Sequence, residues 1–196
     1  ENWEVRAKAL YEAARDSIGI YEGRTSIILE IKEILALIEA SERFIAEIEK
    51  EMSSHLKQIP YSRSILSLKG IGEITAAGLI GEVADFTKFN TISEVMKLAG
   101  LDLFEISSGK HKGRRHISKR GRPLLRKLLF FAALNVVRKD GIMHERYHRY
   151  LQRSMPKMKA LIAIARKLLG IIFALVRNHS EYVIGYSKTK NLKEAA

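Results

Sequence analysis

Cysteine does not occur in this chain of 196 residues, which excludes a disulfide framework, a thiolate zinc site and a cysteine nucleophile. Proline occurs only at positions 60, 123 and 156, and tryptophan only at Trp3. No apolar run approaches the roughly 18 residues of a membrane span, so no membrane partner is expected. Glu1, Glu4, Arg6 and Lys8 interrupt the start, which therefore does not read as a signal peptide. A first residue that is Glu rather than Met gives the expectation of a processed chain or a fragment.

Acid is scarce where base is plentiful. Lys and Arg number 34 against 22 Asp and Glu, a net charge of +12, and the pI is near 9.9. Residues 1–59 hold 8 basic and 12 acidic residues, residues 60–105 hold 4 and 6, and residues 106–196 hold 22 and 4. The second half, at +18, is where a polyanionic partner is expected to be met. With 46% hydrophobic and 29% charged residues the chain is long and apolar enough to bury a core.

Periodicity predicts an all-α fold in which a small β hairpin near 101–118 has a place. Trp3, Ala7, Leu10, Ala14 and Ile18 share one helical face before Gly19 and Gly23 interrupt it. A seven-residue pattern then runs through Ile27, Ile31, Ile34, Ile38, Ser41, Ile45, Ile48 and Met52, the stripe of a coiled coil that Pro60 brings to an end. Its partner is either a second copy of the chain or, in an antiparallel hairpin, residues 1–20. Short helices are expected at about 61–68, 73–83 and 91–99, a basic glycine-punctuated loop or hairpin over 100–122, a helix from Pro123 to about Val137 and another over 156–178. These group into a coiled-coil region (1–59), a helix-hairpin-helix with its following helix (60–99), a basic loop with helices (100–186) and a flexible tail (187–196).

Two segments point to phosphate chemistry. In Leu68-Lys69-Gly70-Ile71-Gly72-Glu73, the pair Gly70 and Gly72 suits a tight turn and Ile71 can plug the seam between two helices. The next helix would then offer free amides to a phosphate, with Lys69 beside them. Equally, such a turn can serve only as scaffold. From Ile106 to Lys139 there are eleven cations and no acid: Lys110, Lys112, Arg114, Arg115, Lys119, Arg120, Arg122, Arg126, Lys127, Arg138 and Lys139. With His111 and His116, they suit a phosphate backbone or RNA. Ser107-Ser108-Gly109 lies among them. A hydroxyl attacks phosphorus only when its proton is removed and cations absorb the developing charge; on the residues alone, either serine reads as an ordinary turn residue.

Further motifs are weaker. His144-Glu145-Arg146-Tyr147-His148 has zinc-protease spacing, but Arg146, Arg149 and Arg153 oppose a cation and no third ligand follows, so an exposed basic helix fits better. Asp85 lies too near the turn for the aspartate of a helix-hairpin-helix glycosylase.

Five pieces occur in an order and spacing that resemble one transposase family: Leu68 to Ala77, Leu98-Ala99-Gly100-Leu101, Ser108-Gly109, Arg115-His116-Ile117-Ser118-Lys119-Arg120-Gly121 and Ala165-Arg166-Lys167-Leu168-Leu169. This is the DEDD transposase family of bacterial and archaeal insertion sequences, the bridge-RNA-guided serine recombinases. The resemblance implies a RuvC-like nuclease domain whose acids bind Mg2+, then a coiled coil, then a domain with a nucleophilic serine. That serine falls on Ser108, with Ser107 its neighbour and competitor. The nuclease domain is missing from this sequence, so no metal ligands are expected here and the fragment alone is expected to be inactive. The resemblance further implies DNA and a guide RNA as partners, a homo-oligomer formed through the coiled coil, and a prokaryotic cytoplasmic, nucleoid-associated setting. A non-catalytic architectural nucleic-acid binder that oligomerises through its coiled coil is the alternative.

Overall fold

The computed structural model describes residues 2–19, 23–105, 107–108, 111–113 and 115–183, so the tail from Ser187 lies outside the described residues. The all-α expectation holds: among the described residues eight helices dominate, and the strands are four two-residue pieces. The chain divides into two units, residues 1–48 and 49–196.

In the first unit α1 (Trp3–Asp16) starts at Asn2, whose side-chain oxygen accepts the Glu4 amide hydrogen at 3.4 Å. Gly23, at φ +74°, precedes α2 (Arg24–Gln58). At 35 residues, α2 is about 50 Å long. No residue of α1 is buried, and the α2 residues up to Ile48 are all exposed. Ile27, Ile31, Ile34, Ile38, Ile45 and Ile48 stand 41–54% exposed, so α1 does not cover the stripe as an antiparallel hairpin would. No helix among the described residues is long and apolar enough to cross a membrane.

The second unit is organised around α8 (Lys157–Arg177). Ala160, Ile164, Leu168, Ile172 and Val176 repeat every four residues, and Leu161, Ala165, Leu169, Phe173 and Leu175 fill the adjacent faces, so the helix is buried nearly all round. Around it pack α3 (Ser62–Leu66), a 3-10 turn (Phe86–Lys88), α5 (Ile92–Leu98), α6 (Pro123–Val136) and α7 (His144–Gln152), while α4 (Glu73–Val83) rests on α3 and α6. Pro123 stands in the first turn of α6, where its missing N–H costs nothing.

Between α5 and α6 the strands β1 (Leu103–Phe104), β2 (Ser107–Ser108), β3 (His111–Lys112) and β4 (His116–Ile117) form two nested antiparallel pairs, β1 with β4 and β2 with β3. The register changes between them: Leu103 faces Ile117 and Phe104 faces His116, but Ser107 faces Lys112 and Ser108 faces His111. One more residue separates β3 from β4 than separates β1 from β2, the count of a β-bulge, which bends a ribbon and raises its twist.

The root of the hairpin is fixed by backbone contact. Gly100 and Gly121 adopt φ +63° and +143°, and a Cβ on Gly121 would stand 2.4 Å from the Leu98 carbonyl oxygen. The Arg122 amide donates to Leu98 O at 2.8 Å and the Lys119 amide to Gly100 O at 3.0 Å. Any side chain at position 121 would force these two crossing segments apart.

Candidate nucleic-acid interface

A tight turn joins the short helix α3 to α4. Leu68 is fully buried and Ile71 is 5% exposed, so Ile71 does plug the seam. The Ile71 amide donates to Leu68 O at 3.0 Å, closing the turn. Gly70, at φ +103°, occupies a conformation that other residues rarely adopt, and a Cβ there would press on Val136 Cγ1 at 3.2 Å. Gly72 corrects the expectation from sequence. Its φ of −87° and ψ of 171° are open to any residue, and a Cβ there would meet nothing within 4 Å. What Gly72 supplies is room. It is the N-cap of α4 with no side-chain cap, and the Ala76 amide is the one that returns to its carbonyl, at 2.9 Å. The amides of Glu73, Ile74 and Thr75 thus lie in the uncapped first turn, at the positive end of the helix.

The fold adds cations that the linear motif does not contain. Lys69, Gly70, Ile71 and Gly72 line one side of a groove whose other side is Asn135, Arg138, Lys139, Asp140 and Gly141, from the end of α6. Lys69, Arg138 and Lys139 are exposed, and none forms an ion pair among the described residues. Three positive side chains therefore flank the turn amides, with Asp140 the one acid lining the same groove.

The cations of residues 106–139 divide by role. Arg126 Nη1 donates to Ala99 O at 3.1 Å and to Lys119 O at 3.4 Å, clamping the hairpin root from α6. Arg122 Nη1 donates to Glu82 O at 2.7 Å, filling an open carbonyl near the end of α4; among the predicted contact residues it is thus already engaged by the fold. Arg115 Nε is paired with Glu105 across the hairpin at 2.8 Å, yet the Arg115 side chain remains 72% exposed. Lys119 and Arg120 are exposed at the root. For Ser107, Ser108, His111 and Lys112 the structure gives backbone pairing; Gly109, Lys110 and Arg114 lie outside the described residues.

Other candidates resolve into structure. Asp85 Oδ1 accepts from the amide and hydroxyl of Thr87, at 2.9 and 2.7 Å, and these bonds hold its carboxyl below the ordinary range. It caps the 3-10 turn. The His144 and His148 rings adjoin on α7, their centroids 4.4 Å apart and their planes tilted by 50°, and His144 Nδ1 bonds Val137 O at 3.0 Å. Among the described residues no group of three or more His, Cys, Asp or Glu side chains could hold a metal ion.

Comparison with known proteins places these features. Residues 62–148 match the sequence model of the transposase IS116/IS110/IS902 family. The uncharacterized 43.6 kDa protein of insertion element IS110 from Streptomyces coelicolor is 24% identical over 173 residues, 88% of this chain and 43% of that protein. A probable family 20 transposase of Pseudomonas aeruginosa is 29% identical over 80% of this chain and 46% of its own length. The transposase for insertion sequence element IS1111A from Coxiella burnetii is 27% identical, with 72% and 40% covered. The chain spans less than half the length of these relatives. From α3 into α7, through the uncapped turn, the nested strands and α6, it is similar to insertion-sequence transposases.

Proposed function

We propose that this chain is the nucleic-acid-binding, nucleophile-bearing portion of an insertion-sequence transposase. The observation that carries this reading is the coincidence of three features on one segment: the family match over residues 62–148, the uncapped Gly70-Ile71-Gly72 turn between Lys69 and Arg138-Lys139, and the acid-free cationic run from Ile106 to Lys139. Phosphates dock at the turn and along the hairpin, whose exposed Lys and Arg residues release counterions as they bind.

In the proposed chemistry the Ser108 hydroxyl oxygen attacks the scissile phosphorus. A bond from Oγ to phosphorus forms, the bond to one deoxyribose oxygen breaks, and the hydroxyl proton passes through solvent to that departing oxygen. A phosphoserine link remains, which a second deoxyribose hydroxyl reverses in joining. The cations of the hairpin stabilise the charge on the non-bridging oxygens. The described residues provide no carboxylate cluster fit for Mg2+, so no step here runs through that ion. Guidance by an RNA belongs to the same proposal, since the basic hairpin suits either nucleic acid.

Binding is tested with the triple variant Lys69→Ala, Arg138→Ala, Lys139→Ala. Duplex affinity is expected to fall at least tenfold, and the slope of log K against log salt to become shallower by about 3. Unchanged affinity in a folded variant would return the turn to a scaffold role.

Self-association through α2 is part of the proposal, supported by its uncovered isoleucine stripe. Burying each such side chain in a partner is worth about 1.5–3 kcal/mol, and a charge there has no partner. Ile38→Glu with Ile45→Glu is expected to convert an oligomer to a monomer in light scattering. A wild-type chain already monomeric at micromolar concentration would remove the coiled coil from the account.

A further inference from the structure

The outward face of the hairpin root has a composition that duplex phosphate binding does not require. Ile117 packs against the core, and its cross-strand partner is Leu103. Side chains alternate along a strand, so the neighbouring pair, Phe104 and His116, occupies the opposite face. Phe104 is 42% exposed and Leu103 46%, so both faces of β1 meet solvent; what distinguishes the Phe104 face is its company, the Phe104 ring centroid lying 6.5 Å from that of His116 with the planes 44° apart. Beside Phe104 is a pocket of about 350 Å³ lined by Lys97, Asp102, Ser118 and Arg120, near the lower end of small-ligand sites. Lys97 and Arg120 are exposed and in no ion pair among the described residues. The two acids nearby are engaged: Asp102 accepts the Ser118 hydroxyl hydrogen, and Glu105 is held by Arg115 at 2.8 Å.

An exposed aromatic ring between free cations has the chemistry of an unpaired nucleotide site. The face of a base in a duplex is covered by its neighbours, whereas a splayed base stacks on a ring while its phosphate meets a cation. We propose that the β1–β4 ladder is a stacking platform for one unpaired nucleobase, with Phe104 under the base, His116 at its edge and Lys97 and Arg120 on the adjoining phosphate. This rests on the nucleic-acid reading above and deepens it: the partner is single-stranded at the hairpin root. Lys97 and Phe104 gain a role that the cationic run alone does not suggest. A cross-strand aromatic pair also steadies a hairpin, so the test must separate stacking from stability.

The 196-residue chain is titrated at fixed ionic strength with short single strands of DNA and of RNA that contain 2-aminopurine, and with a duplex of the same length. For the wild type, quenching of the 2-aminopurine is expected on binding. Phe104→Ala is expected to bind single strands about tenfold more weakly and to lose the quenching, with duplex affinity unchanged. Phe104→Leu keeps apolar bulk but no π face and should behave like Phe104→Ala, while Phe104→Trp should retain binding and quenching. Quenching by one strand type or by both supports the proposal and identifies the strand. Single-strand affinity and quenching unchanged in Phe104→Leu overturns it and leaves duplex binding standing; a wild type that binds only duplex does the same. A wild type that binds neither overturns the nucleic-acid reading itself.

Discussion

Raising salt from about 50 to 200 mM is expected to weaken nucleic-acid binding by this chain about a thousandfold. The expectation follows from where the charge lies. Residues 106–196 hold 22 basic residues against 4 acidic ones. Arg122 and Arg126 are occupied with carbonyls of the fold and Arg115 with Glu105. The exposed remainder includes Lys119, Arg120, Arg138 and Lys139, joined by Lys69 at the turn. With some six phosphates neutralised, log K falls with log salt at a slope near −5. Gel shifts or anisotropy across that range measure it. A flat titration would mean that the basic surface is merely solvated and that any binding rests on something else.

The second large effect concerns chemistry. In a protein extended to the full length of the relatives, Ser108→Ala is expected to lower strand cleavage by about four or more orders of magnitude while leaving DNA affinity within about twofold, because the proposed mechanism loses only its nucleophile. Ser107→Ala is the control and should retain activity. The two serines are neighbours in β2, facing His111 and Lys112 across the tip, so the comparison is made within one strand of one hairpin. If the effects are reversed, the nucleophile is Ser107; if both variants cleave normally, the serine mechanism is wrong. Without the extension the 196-residue chain is expected to bind and not to cleave, its described residues holding no carboxylate cluster for a metal.

What could be read from the residues depended on how local the cause was. Pro123 marks a helix start by its own covalent geometry, and α6 begins there. The four-residue repeat of α8 fixed its span to within a residue of the expected 156–178. The α4 limits, Glu73–Val83, agree with expectation because the turn glycines stand directly before them. By contrast, α7 reads HERYHRYLQ and has no fully buried residue; it packs on α8 through half-buried Tyr147 and Tyr150, amphipathic side chains that make a faint apolar stripe between charged neighbours. The root of the hairpin was legible as a glycine-rich basic stretch but not as a crossing of two backbones, since Gly121 owes its place to Leu98.

The candidate site was legible in its charge and not in its division of labour. Arg122 and Arg126 look like their neighbours in sequence, yet each serves a carbonyl, on Glu82 and Ala99, that lies far along the chain. Lys69 joins Arg138 and Lys139 only because the turn packs on the end of α6, as the approach of Gly70 to Val136 records. The pairing of Phe104 with His116 depends on the hairpin register, which differs by one residue between the two ladders. No periodicity announces that shift.

The most direct measurement is the site of covalent attachment. The extended protein is reacted with a DNA duplex bearing its recombination junction, the adduct is trapped under denaturing conditions, and the modified peptide is sequenced by mass spectrometry. The account predicts a phosphodiester link on Ser108, absent from the Ser108→Ala variant and present in Ser107→Ala. An adduct on any residue outside β2, or efficient cleavage and joining with no adduct at all, would contradict it.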